Sequence, residues 1–212
     1  TEVVAPHASH LSASLHFGQI SPLDVALRVG SSRAHATDQK AAFMEQLLVR
    51  RDLSINFVHF HEHYDSLKCL PDWARETLEQ HDDDERDPLY TADELEGAET
   101  HDPAWNAAMR QMKVTGYLHN HLRMYRGKKM LQWASNDAHA YRTALRLNKR
   151  YFLDGRDVNS YASIAWLFGM HDRAHQERNV FGKVRYMSSA GLECKIDVQQ
   201  YLDHVRDLNT DE

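Results

Sequence analysis

The sequence predicts an all-α domain. Three observations lead there. Glycine is scarce, at nine of 212 residues. No stretch alternates apolar and polar residues over a useful strand length, and apolar residues recur at helical spacings along most of the chain. With 42% hydrophobic residues the chain can bury a sizeable core as one domain, residues 1–212. Two cysteines, Cys69 and Cys194, stand without CxxC spacing, which argues against a disulfide framework or a zinc ribbon and suits a reducing compartment. No run of about 18 apolar residues is present to span a bilayer. The opening TEVVAPHASHLS has neither a basic nor an apolar leader segment. A cytoplasmic protein with no membrane partner is expected. A net charge of −6 gives no overall attraction for nucleic acid and leaves that task to local basic patches.

Each element has its own signal. In ASHLSASLHFGQISP, Ser9 and Ser12 stand ahead of a helix, where hydroxyls and free amides cap the helix or hold phosphate oxygens. DQKAAFMEQLLVRRDLSINFVHF carries Phe43, Leu47, Leu48, Ile55 and Val58 at helical spacings behind a cap at Thr37 or Asp38. PDWARETLEQHDD has Pro71 in a first-turn position and runs into an acidic stretch, Asp82 to Asp87, read as a solvated loop. The next segment starts with Asp102 as cap and Pro103 in the first turn, then keeps one face through Trp105, Met109, Met112, Gly116, His119, Arg123 and Met130. Its part from Tyr117 to Ser135 reads as continuous helix, with Arg123 and Arg126 set among Tyr117, Tyr125 and Trp133. Another helix is expected over 138–150. LDGRDVNSY then gathers Asp154, Arg156, Asp157 and Asn159 around Gly155, a capped turn or a seat for a polar cofactor ring.

Seven blocks in collinear order carry a resemblance: LSASLHFGQIS, LLVRRDLSINF, HYDSLK, HDPAWNAA, LRMYRGKKMLQW, LDGRD and VFGKVRYMSSAG. Together they resemble the FAD-binding helical domain of the photolyase/cryptochrome family, most closely its class II cyclobutane pyrimidine dimer photolyases. The resemblance implies FAD as cofactor. Ser9, Leu11 and Ser12 match the segment that cradles the pyrophosphate, and Asn148 matches the asparagine facing the flavin. Asp154, Gly155, Arg156, Asp157 and Asn159 fall in the loop against the flavin ring. Arg123 matches an arginine beside the flavin, with Asp154 as its implied partner. Asp52 and Trp166 match dimer-facing positions, and Arg178, Lys183 and Arg185 match a basic stretch that contacts DNA phosphates.

The chain also departs from that pattern. Where the family has the flavin-proximal tryptophan of its electron relay, this chain has Arg126, which cannot carry a hole. The outer members match Trp105 and Trp133, so the relay is expected to be cut at its first step. Asp52 is shorter than the family's glutamate, His175 and Asn179 replace a tryptophan and a proline, and Ala13-Ser14 replaces Pro-Tyr. The N-terminal antenna-binding domain of the family has no counterpart in this sequence, so a fragment or a naturally short homologue is expected, the latter being favoured. Two functions remain open: a light-driven lyase acting on a pyrimidine dimer in damaged DNA, or a diverged flavoprotein using FAD as a redox or photosensory cofactor. A partner chain covering the face left by the antenna domain is a further expectation. His59, His61 and His63, spaced two apart, have the chemistry of metal ligands, but they border family-like blocks and no metal is expected.

Overall fold

Helix signals in the sequence become twelve α-helices among the described residues of a computed structural model, which are 4, 8–33 and 36–208. In order these are α1 (Ser12–His16), α2 (Pro22–Ser31), α3 (Thr37–Met44), α4 (Arg51–Phe60), α5 (Asp72–Gln80), α6 (Ala92–Gly97), α7 (Pro103–Thr115), α8 (Asn120–Trp133), α9 (Asp137–Tyr151), α10 (Val158–Leu167), α11 (Ser189–Glu193) and α12 (Val198–Leu208). A π-helical stretch, Glu45–Arg50, joins α3 to α4 without a break in the chain's course. No strand forms among the described residues; the one β-type pairing is an isolated bridge between Arg178 and Gly182.

The central helices begin where side chains satisfy their free amides. Asp102 accepts from Trp105 N at 2.9 Å to start α7, Asn136 accepts from His139 N at 2.8 Å to start α9, and Asp157 accepts from Asn159 N at 2.9 Å to start α10. Helix α7 turns Trp105, Met109 and Met112 fully inward against α8 and α12. Each such side chain contributes about 1.5–3 kcal/mol by leaving water. Helix α8 lies against α7, α9 and α10, and α10 packs on α4. The main core runs through these helices, while Val25, Ala26 and Leu47 form a smaller one with Leu11, Leu15 and Phe43.

Three details differ from the sequence expectation. The segment after Asp102 is two helices rather than one continuous run. Gly116 ends α7 with φ +66°, a conformation open to glycine, and a Cβ there would meet Leu153 Cγ at 2.7 Å. The helix near residue 38 starts with Ala36 at its N-cap and no side-chain cap. The acidic stretch 82–87 is also less solvated than its composition implies. Arg86 is buried on Asp137 at 2.9 Å, and Asp84 accepts from Val180 N at 2.8 Å, so the loop is tied to two later parts of the chain.

Helix α8 is buried almost all round, and it takes Lys128 with it. The ammonium donates to the Leu167 carbonyl, and burial pushes its pKa down to about 7. Because this folded-state value lies below the ordinary lysine value, the folded chain binds fewer protons than the unfolded chain between about pH 7 and 10.5. Stability therefore rises with pH through that window and is lost as pH falls through it. Urea unfolding at pH 7 and at pH 9.5 should show this gain in the wild type and much less of it in Lys128→Met.

Candidate functional site

The site is built where α9 ends and the chain doubles back into α10. Phe152 N donates to Asn148 O to close the helix, Gly155 N donates to Phe152 O, and Asp157 N donates to Asp154 O at 3.1 Å. A Cβ on Gly155 would stand 1.9 Å from Asn148 O, so only glycine lets the turn fold this tightly beneath the helix end. The turn brings Asp154 to α8, where both its oxygens accept from Arg123 at 3.1–3.3 Å. Arg123 is fixed further by donation to Leu118 O at 2.9 Å and by its guanidinium lying 3.9 Å from the centre of the Phe152 ring.

One turn along α8, Arg126 has no such partner. It is 1% exposed, and no carboxylate touches it. It donates to Asn148 Oδ1 and to Met109 Sδ at 3.6 Å, and lies 5.4 Å from the Phe152 ring centre. Its Nε has no acceptor. Burial first, then the charge of Arg123, lowers its pKa to about 9, so the cation persists at neutral pH. Asn148 Nδ2 in turn donates to Ser160 Oγ at 3.1 Å, and Trp105 Nε1 donates to the Arg126 carbonyl at 3.0 Å.

A cleft of about 380 Å³ opens beside this cluster. Its walls include Ser9, Leu11, Ser12, Arg123, Asp154, Asp157 and Asn159. A deeper hollow of about 50 Å³ shares Arg123, Asp154 and Asn159 with it and reaches Arg126 and Asn148. Most of the expected cofactor-binding residues are thus brought to one place. Gly155 serves as the tight turn, and Arg156 departs from the group, since it lines a separate hollow with Lys68 and Arg142. Sequence reasoning missed Arg50, Arg51, Asn120 and Ser163 on the walls, although the arginine pair stands inside a block that resembles the family. It also missed His16, which meets Asp157 at 3.2 Å.

The other expected residues lie outside these walls. Asp52 is exposed in the first turn of α4. Trp166 is half-buried, with Lys128 Nζ at 5.6 Å and the Arg185 guanidinium at 5.5 Å from its ring. Arg185 is committed to Asp172 at 2.8 and 3.0 Å, which holds that carboxyl well below the usual range. Arg178 and Lys183 are exposed on the turn beyond, with Lys183 only 4.0 Å from Glu177. Trp105 and Trp133 are buried in the core at 5.8 Å, edge to face. Trp133 continues to Tyr90 at 5.6 Å and to exposed His101 at 5.1 Å, so an aromatic ladder runs from the surface to Trp105, whose indole meets the Arg126 backbone carbonyl. Among the described residues no three His, Cys, Asp or Glu side chains gather as a metal site, and no helix is long and apolar enough to cross a membrane.

Comparison with known proteins settles the fold first. The fold is that of a photolyase's helical portion. A crystal structure of a class III photolyase from Agrobacterium tumefaciens superposes with a TM-score of 0.69, covering 97% of this chain and 39% of that one at 21% identity. In sequence, the chain is 52% identical over 200 residues to deoxyribodipyrimidine photo-lyase of Methanothermobacter thermautotrophicus. It is 44% identical over 201 residues to the enzyme of that name from Oryza sativa subsp. japonica. The chain is therefore a photolyase relative. The alignments cover 94% of this chain and 44% and 40% of those proteins, so it spans less than half of their length. No family model matches it.

The Arg123–Asp154 pair is the hinge of the site. The two side chains are 20% and 14% exposed, so loss of the carboxylate leaves a largely desolvated guanidinium and is expected to cost about 2–4 kcal/mol, at or below the range for a fully buried pair. Urea unfolding of Asp154→Ala should record that loss, and Asp154→Asn, which keeps the shape and one acceptor, should lose less.

Proposed function

We propose that this chain binds FAD in the α8–α10 cleft and serves light-driven electron transfer to a pyrimidine dimer in DNA. The observation that carries the reading is a cleft whose walls gather Leu11, Ser12, Arg50, Arg51, Arg123, Asp154 and Asp157, residues of four separate blocks that resemble the family. The fit to a flavin dinucleotide rests on this structure's own chemistry. Four guanidiniums, Arg50, Arg51, Arg123 and Arg126, face the two hollows against the carboxylates Asp154 and Asp157, so the cleft is cationic inside a chain of net charge −6. Such a cleft suits a pyrophosphate. Ser9 and Ser12 offer exposed hydroxyls at its mouth, and the hollow at Arg126 leaves an unsatisfied buried donor that asks for an acceptor.

In this reading Ser9, Ser12 and the arginine pair hold the phosphates, while Arg123 and Asp154 fix the loop against the ring. Asn148, anchored on Ser160 and Arg126, presents its amide to the ring edge. The flavin, when bound and reduced, supplies the electron that a pyrimidine dimer needs to split. Trp166, held between Lys128 and Arg185, offers an indole for a flipped-out base, and exposed Arg178 and Lys183 offer charge to phosphates. Asp52, exposed in the first turn of α4, takes the dimer-facing role in this reading. A cytoplasmic setting agrees with two free thiols, Cys69 and Cys194. Leu23 and Leu27 on α2, with Val49 and Leu53 near the start of α4, are exposed apolar side chains on which further protein, in the same chain or a partner, can pack.

One observation favours a second reading, in which the protein is a diverged flavoprotein with a redox or sensory role. The aromatic ladder stops at Arg126, which has no ring to oxidise. Blue-light photoreduction by an external thiol is therefore expected to be at least about tenfold slower in the wild type than in Arg126→Trp, which restores a ring to the gap. Both proteins should then be reduced with dithionite and illuminated on thymine-dimer DNA. Dimer splitting by the prereduced wild type supports the lyase; its absence with flavin bound and reduced supports the redox or sensory reading. Rapid photoreduction of the wild type would contradict the interrupted relay.

A further inference from the structure

We propose that the hollow between α9 and the turn at 65–68 is a second ligand site, which takes a compact polyphosphate joined to a flat apolar group, the chemistry of a nucleoside triphosphate. The hollow shares no wall residue with the flavin cleft, and the proposal stands independently of the flavin reading.

Helical periodicity builds one wall. Tyr141, Arg142, Leu145, Arg146, Lys149 and Arg150 recur three or four apart along α9 and so share a face of that helix. Asn148, on another face, lines the hollow beside the flavin cleft instead. From Ala138 to Arg150 the wall runs about 18 Å at 1.5 Å per residue. The turn at 65–68 and Arg156, from the loop after α9, complete a cavity of about 790 Å³.

Six cations line this cavity against one carboxylate, Asp65: Lys68, Arg142, Arg146, Lys149, Arg150 and Arg156. A second carboxylate, Glu96, is shared by Arg146 at 2.5 Å and Arg150 at 2.8 Å. With both acids counted, an excess of positive charge remains, in a chain whose net charge is −6. Lys68, Arg142 and Arg156 are exposed and pair with no carboxylate among the described residues. Lys149 Nζ has only the Tyr161 ring, at 4.8 Å from its centre. Like charges four apart on one helix face, as at Arg142, Arg146 and Arg150, repel one another, and a bound anion removes that cost.

The rest of the lining decides what kind of anion fits. Leu67, Ala138, Leu145 and the Tyr141 ring give the cavity an apolar part. The Tyr141 hydroxyl is spent on the Tyr64 carbonyl at 3.4 Å and on Cys69 Sγ at 3.8 Å, so the side chain has no polar atom to spare. Guanidiniums grip phosphate oxygens in a fork and also stack on flat rings, so the arginines serve both halves of such a ligand. A continuous sugar–phosphate strand laid along the wall would meet Asp65 and Glu96. A compact phosphate cluster fits among the three unpaired cations.

The test is calorimetric titration of the chain, first incubated with FAD and freed of the excess, with metal-free ATP, inorganic triphosphate and adenosine as separate probes. ATP is expected to bind at about one per chain, inorganic triphosphate at least about tenfold more weakly, and adenosine not measurably. The double variant Arg142→Gln/Arg156→Gln should weaken ATP at least about tenfold, whereas Arg51→Gln, on the flavin cleft, should leave it unchanged. Raising the salt from about 0.05 M to about 0.5 M should weaken ATP binding to the wild type, because the paired charges are screened. No ATP binding, salt-independent binding, or equal affinity in the double variant would overturn the proposal. Loss of binding in Arg51→Gln with retention in the double variant would overturn it by placing the ligand in the flavin cleft. Inorganic triphosphate as tight as ATP would overturn the assignment of the flat group. A single-stranded oligonucleotide held through Arg142 and Arg156, and not displaced by ATP, would overturn the proposal in favour of a nucleic-acid strand.

Discussion

The architecture depends on one knot of hydrogen bonds in which Arg126 and Asn148 are the crossing points. The Arg126 carbonyl holds the Trp105 indole of α7, its guanidinium holds the Asn148 amide of α9, and that amide holds Ser160 of α10. The Asn148 carbonyl accepts from Phe152 N and lies close against Gly155, which fixes the turn that delivers Asp154 to Arg123. Four helices and the loop between two of them are thereby registered to one another at a single place. Arg123 and Asp154 line the cleft, and Arg126, Asn148 and Ser160 line the small hollow beside it, so the site is bound up with the helix packing.

Electrostatics follows from that packing. A buried guanidinium without a carboxylate is a cost of several kcal/mol that a stable core normally avoids. Here it is partly met by an amide oxygen, a thioether and an aromatic ring, none of which carries a full negative charge. Three residues earlier on the same helix a guanidinium is fully met, by Asp154 on Arg123. The contrast sets Arg126 apart, with its Nε left without an acceptor. The aromatic ladder from His101 through Trp133 to Trp105 ends where the Trp105 indole donates to the Arg126 backbone carbonyl.

Much of this was legible in the sequence, and the reasons are physical. The absence of alternating patterns and the capping residue Asp102 specified helices and one of their starts. The pairing of Arg123 with Asp154 followed from the resemblance, and the tight turn at Gly155 brings the two together. What stayed hidden depends on three-dimensional packing. The break at Gly116 interrupts an apolar face that continues on both sides, so periodicity alone runs through it. Arg86 lies in an acidic run that looks solvated, yet its partner Asp137 is distant in sequence, and no local pattern encodes such a burial. Arg156, next to Asp157 in the chain, turns to the opposite side because the doubled-back loop separates neighbouring side chains.

The central claim, that the knot of Arg126, Asn148 and the Arg123–Asp154 pair forms a flavin site, is tested most directly by the absorption spectrum of the purified chain after incubation with FAD and removal of the excess. The account predicts the blue bands of oxidised flavin at about one FAD per chain, retained through gel filtration. A protein that is folded by circular dichroism but emerges without those bands would contradict it.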